Sequence, residues 1–90
     1  MKLEFVGTRA LIQQDFITTE DGGRIPLELY AEKEPEAADG VIYAAYIDGV
    51  LWYDVENVTH AMILYKLLKE HVTEYMKYET FGGVNGSSEA

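Results

Sequence analysis

The stretch "VIYAAYIDGVLWYDVENV", residues 41–58, holds three tyrosines, a tryptophan and three acids, and no lysine or arginine. Asp48-Gly49 at its centre suits a two-residue type I′ turn, because both positions of that turn need positive φ. Pairing outward from the turn sets Ile47 opposite Val50, Ala45 opposite Trp52, Tyr43 opposite Asp54 and Val41 opposite Glu56 on one face. On the other face Tyr46 meets Leu51, Ala44 meets Tyr53 and Ile42 meets Val55. The second face is wholly apolar or aromatic and is expected to be core. The first is apolar near the turn and acidic at its far end. A half-exposed antiparallel hairpin ordinarily has one polar side, and this one lacks it.

Upstream, "TEDGGRIP" (19–26) marks a second reversal. A turn centred on Asp21-Gly22, or a four-residue loop over 20–23, predicts Thr18 opposite Ile25, Phe16 opposite Leu27, Gln14 opposite Leu29 and Ile12 opposite Ala31. That side is nearly all apolar and is the expected core side, because a one-residue slip would carry the apolar set into water. The other side pairs Asp15 with Glu28 and Gln13 with Tyr30. Pro26 has no N–H to give a ladder, so its end of the strand is expected at an edge or bulge. "KLEFV" (2–6) alternates and reads as a short first strand ending at Gly7. "EKEPEAADG" (32–40) reads as a solvated loop.

Downstream, "VTHAMILYKLLKEHVTEYMKYE" (58–79) is the one long helical pattern, with Asn57 or Thr59 as its cap. Val58, Ala61, Tyr65, Leu68, Val72 and Tyr75 recur at three- and four-residue spacing. Met62, Ile63, Leu64 and Leu67 widen the stripe. The expected fold is therefore α+β in two layers, an antiparallel sheet of four to five strands built from two hairpins and packed on one C-terminal helix. Residues 1–80 form the single domain, and the glycine- and serine-rich "FGGVNGSSEA" (81–90) is expected to be a flexible tail. One helix covers one face of a sheet, so the apolar residues of the other face need another cover. Tyr43, Ile47, Val50 and Trp52 are the expected interface residues, with Ala45 among them.

The chain of 90 residues has 16 acids and 7 bases, for a net charge of −9. Residues 34–65 carry Glu34, Glu36, Asp39, Asp48, Asp54 and Glu56 without one lysine or arginine. That sign argues against direct binding of a nucleic-acid backbone, which needs clustered cations. It favours a partner with a basic surface. Glu34, Glu36, Asp39, Asp54 and Glu56 are the candidate partner-binding acids.

Catalytic and metal chemistries find little support. With no cysteine there is no thiol nucleophile, disulfide or thiolate metal site. His60 and His71 would lie ~16 Å apart on a helix, too far to share a metal, and His71 with Glu74 lacks a third ligand. The carboxylate pairs Glu20-Asp21, Asp54-Glu56 and Glu70-Glu74 sit in turns, at a strand end and on a helix flank, without the cleft that acid–base catalysis requires. "GGVNG" has neither the lysine nor the following helix of a phosphate loop. Ser87 and Ser88 have no histidine near in sequence. The seven tyrosines lack the basic neighbours of base-stacking platforms, whereas tyrosine and tryptophan are enriched at protein interfaces.

No catalytic residue, metal or cofactor is therefore expected. The expected function is a small acidic protein-binding module. One specific form is a phage- or mobile-element-type inhibitor, an anti-defence DNA mimic that sets carboxylates where phosphates would bind. The alternatives are a homo-oligomeric accessory protein, most simply a homodimer, and a small-molecule binder with a pocket between protomers near Tyr43 and Trp52. The start of the chain lacks the apolar run of a signal peptide and nothing approaches a membrane span. The expected location is the cytoplasm, a host's in the phage case.

Overall fold

Residues that tolerate a left-handed backbone set the chain reversals. Asp48 (φ 52°) and Gly49 (φ 82°) make the two-residue turn expected of them, and Ile47 pairs with Val50 across it. The first hairpin closes differently. Gly22 donates its N–H to Thr19 O at 3.0 Å and Thr19 donates to Gly23 O at 2.9 Å. Gly22 alone takes a positive φ, 91°, so the loop has three residues, 20–22, with the left-handed residue last. The Asp21 carboxylate accepts from the Thr19 hydroxyl and from Gly23 N–H, and both hold it below its ordinary pKa.

The computed structural model describes the backbone of residues 2–82 and the side chains of residues 2–74. Strands β1 (Arg9–Thr18), β2 (Arg24–Lys33), β3 (Val41–Ile47) and β4 (Val50–Val55) form one antiparallel sheet in the order β1-β2-β3-β4. Helix α1 (Val58–Gly82) follows and packs on one face, against β1, β3 and β4. The arrangement is the expected two-layer α+β, with four strands. "KLEFV" is not a fifth. Val6 and Arg9 make only an isolated bridge around Gly7, whose φ is 69°, so the chain turns back there instead of extending along the sheet. Helix α1 runs past the boundary drawn at residue 80, and the rest of the expected tail, 83–90, lies outside the described residues.

The three-residue loop moves β1 by one residue against β2. Ile17 pairs with Ile25, Phe16 with Pro26, Asp15 with Leu27 and Gln14 with Glu28. The β2 core side is the expected one, Ile25, Leu27, Leu29 and Ala31. Between Gln13 and Thr18 the β1 core side is inverted, because Ile17 is buried and Phe16 is 46% exposed, whereas Ala10, nearer the start of the strand, is buried on the expected side. A bulge between Leu11 and Gln13 leaves Ile12 as an extra residue, and Ile12 packs against the core.

Pro26 lies in an inner strand yet breaks no ladder bond. Pairing of β2 with β3 begins at Leu27–Ile47, so Pro26 overhangs the end of β3. Its carbonyl accepts Asp48 N–H at 2.8 Å, and the side where its missing N–H would point holds only the β3–β4 turn.

Leu27 and Leu29 are fully buried at the centre of the sheet. Around them lie Ile17, Ala45 and Ile47 from the sheet and Ala61, Tyr65 and Val72 from α1. Burying each leucine contributes about 1.5–3 kcal/mol. Ala61, Tyr65, Leu68 and Val72 are the helical stripe that meets them, as the spacing predicts. Asn57 is the cap, and its Oδ1 accepts the His60 N–H at 2.8 Å. No described helix is long and apolar enough to cross a membrane.

Candidate functional site

Hairpin two follows the expected register only near its turn. Ile47–Val50 and Tyr46–Leu51 pair as expected, and then a bulge at Trp52 shifts the partners to Ala45–Tyr53, Ala44–Asp54 and Tyr43–Val55. Strand β4 therefore keeps Tyr53 and Val55 inward, while β3 turns Tyr43, Ala45 and Ile47 inward beside them. Tyr43 and Ile47 thus face the helix and not the uncovered face where the sequence placed them. Ala45 is fully buried, and Ile47 is part of the core. Tyr46 and Leu51, expected in the core, lie on the open face. The physical reason is that either side of β3 is apolar enough to bury. Strand β2 makes the choice by pairing Leu27, Leu29 and Ala31 with Ile47, Ala45 and Tyr43. Val50 and Trp52 remain exposed, at 61% and 54%.

Acids gather at the end of the sheet away from the hairpin-two turn. The loop between β2 and β3 is closed by Glu34 N–H to Gly40 O (2.8 Å), Ala37 N–H to Glu34 O (2.9 Å) and Gly40 N–H to Ala37 O (3.0 Å). Ala37 is buried beneath it. The Glu34 carboxylate accepts Glu36 N–H at 3.4 Å, and Glu56, just past β4, accepts Ala38 N–H at the same distance. Folding therefore brings Glu34, Glu36, Asp39 and Glu56 to one end of the sheet. Asp54 lies on the open face, level with Ala44 and Tyr30. The two described ion pairs are Arg9–Glu32 and Lys69–Asp15, so none of these five acids is neutralised by a described base.

Beside the acids, the open face carries a cluster whose members are far apart in sequence. The Arg9 guanidinium lies 3.9 Å from the ring centroid of Tyr30 and 4.7 Å from that of Tyr46. The two rings stand edge to face, with centroids 5.7 Å apart at 82°. Glu32 Oε2 accepts Arg9 Nε–H at 3.2 Å and also the Tyr46 hydroxyl. Burial, and then that contact with Glu32, raise the Tyr46 pKa. Ala44, paired with Tyr30 on this open face, is only 1% exposed. The sequence signal was Tyr30 and Glu32 at strand spacing, but the three-residue loop and the Ile12 bulge together move Arg9 two residues along β2, which brings it opposite Glu32. Farther along the face Arg24 lies over Phe16 at 4.1 Å.

A polar group also lies on the helix-covered face. Asp15, set inward by the corrected register, accepts from the Tyr65 hydroxyl at 2.7 Å and from Lys69 Nζ at 2.9 Å. Those two partners lower its pKa. Tyr65 also reaches Leu27 O at 2.9 Å, and burial followed by the Asp15 charge pushes the Tyr65 pKa strongly upward. The group is explained by packing and satisfaction of a carboxylate. A shallow depression along α1 is lined by Lys66, Lys69, Glu70, Thr73 and Glu74. Among the described residues no three histidine or carboxylate side chains gather as metal ligands. No family model matches the chain, and neither a curated protein nor a solved structure is significantly similar to it.

Proposed function

We propose that the protein is a non-enzymatic binding module that engages a basic protein through its open sheet face and the acids at one end of it. The observation that carries this reading is the placement of Glu34, Glu36, Asp39, Asp54 and Glu56. They border a face bearing Leu11, Phe16, Tyr30, Tyr46 and Leu51, and no described base neutralises them. Apolar contact area beside unneutralised charge is the composition of a surface that steers and then holds an oppositely charged partner. A specific form of the proposal is inhibition of a nucleic-acid-binding protein, with carboxylates occupying phosphate seats, as a phage-encoded protein would do in its host's cytoplasm.

The test is affinity capture from the native host on wild-type protein and on a variant with lysine at all five acid positions. Nucleic-acid-binding proteins retained by the wild type should be released as salt rises from about 50 to about 200 mM, and the variant should not retain them. Retention that ignores both salt and charge reversal would refute the proposal.

Self-association is a second reading, compatible with the first, and a separate observation favours it. Val50, Leu51, Trp52, Met62, Ile63 and Leu67 are all exposed, and all lie on the neighbouring elements β4 and α1. Here β4 is also an edge of the sheet, where unpaired backbone groups invite another strand. Light scattering decides it. A dimer that becomes monomeric on Trp52→Glu supports the reading, and a wild-type monomer at high micromolar concentration ends it.

A further inference from the structure

Arg9 opens the edge strand β1 and seats its guanidinium in a corner made by other parts of the chain. Tyr30 and Tyr46 form two walls at 82°, both within cation–π reach of the guanidinium. Glu32 closes the corner, its Oε2 accepting from Arg9 Nε and from the Tyr46 hydroxyl. Ala44, paired with Tyr30 and two residues from Tyr46 on the same face, is 1% exposed. Two aromatic faces and a carboxylate set for a planar cation make a receptor that favours arginine over lysine.

We propose that this corner is a guanidinium-binding site that Arg9 fills from within the chain, and that an arginine of a basic protein partner displaces Arg9 when the partner docks. The inference rests on the basic-partner reading and names the chemistry of its recognition. Three features make the seat exchangeable. Arg9 is the first residue of an edge strand. The segment before it joins the sheet through the Val6–Arg9 bridge and through Lys33 N–H to Thr8 O at 2.9 Å. The Arg9–Glu32 pair is partly open to water, with side chains 43% and 21% exposed, and such pairs contribute little net stability. One guanidinium can therefore replace another at small cost, and the incoming one brings the rest of its chain onto the acidic rim.

The experiment titrates wild type, Arg9→Gln, Arg9→Lys and Arg24→Gln with two peptides alike except that one carries arginines and the other lysines. Tyrosine ring resonances and affinity are both read. Arg9→Gln empties the corner, while Arg24→Gln makes the same charge change on the same face beside a single ring. Arg9→Gln should bind the arginine peptide about five-fold or more tighter than wild type, with the Tyr30 and Tyr46 resonances returning toward their wild-type positions. Neither Arg24→Gln nor the lysine peptide should show that gain. Arg9→Lys retains the charge, and a folded Arg9→Lys should yield the seat to the arginine peptide more readily than wild type. Equal gains in Arg9→Gln and Arg24→Gln, equal gains with both peptides, or equal affinities of Arg9→Lys and wild type would each overturn the corner while leaving salt-sensitive attraction to a basic partner intact. Absence of binding by either peptide to every variant would overturn both.

Discussion

On the helix-covered face of the sheet, Tyr53 and Tyr65 are anchored by their hydroxyls. Tyr65 shares its one O–H between Asp15 and Leu27 O, and Tyr53 donates to Ala61 O at 2.6 Å. Burial pushes the Tyr53 pKa up to about 12. On the open face Tyr30 and Tyr46 offer their rings to Arg9, and Tyr46 spends its hydroxyl on Glu32 at the surface. The same residue type fastens the two layers together on one side and holds a cation on the other. The difference teaches that aromatic content alone does not separate core from working surface. What separates them is where each hydroxyl and each ring face finds its partner.

The largest expected effect that tests this division comes from trimming a leucine on each face. Leu29→Ala should cost about 2–5 kcal/mol in urea unfolding, because it opens a cavity at the fully buried centre. Leu51→Ala, at a position 49% exposed, should cost less than about 1 kcal/mol. Equal costs would break the assignment of faces.

Removing single hydroxyls sharpens it further. Tyr65→Phe takes a donor from the Asp15 carboxylate and from Leu27 O, and should cost about 1–2 kcal/mol. Tyr46→Phe should cost less than about half of that, since water can reach Glu32. Matched thermal melts of the two variants check the order.

The pH dependence is the gentlest probe. Asp15 has a folded pKa below its ordinary value of 3.8, so its contribution is complete above that pH and is lost as pH falls from there through the lowered value. Tyr53 and Tyr65 have folded values above 10. Their contributions are complete below pH 10 and are lost as pH rises past it, toward about 12 for Tyr53. Melting temperature should therefore fall at both extremes. Asp15→Asn should flatten mainly the acid limb and Tyr65→Phe mainly the alkaline limb, each with a smaller effect on the other limb because Asp15 and Tyr65 shift one another.

Much of the fold was legible because its signals are local. Asp48-Gly49 named its own turn, Asn57 or Thr59 offered a helix cap, and Ala61, Tyr65, Leu68 and Val72 named their stripe. Leu27, Leu29 and Ala31 declared the inner side of β2, since Glu28 and Glu32 alternate with them. The base-free run over 34–65 was equally plain, though only folding brings Glu56 beside the 34–40 loop. The site was less legible. Its interface residues were drawn from the wrong side of β3, because Tyr43, Ala45 and Ile47 are no more apolar than Ile42, Ala44 and Tyr46.

The sequence by itself determined the two hairpins, the single helix, the inner side of β2 and the acidity of the middle third, since turn chemistry, periodicity and charge act between near neighbours. The tertiary structure alone decided which side of β1 and of β3 is buried. A three-residue loop at Asp21 and bulges at Ile12 and Trp52 each shift pairing by one residue, and with a side-chain period of two, one residue exchanges inside for outside. The loop and the Ile12 bulge together slide Arg9 two residues along the open face to Glu32, and the pairing of β3 with β2 turns Tyr46 out beside it.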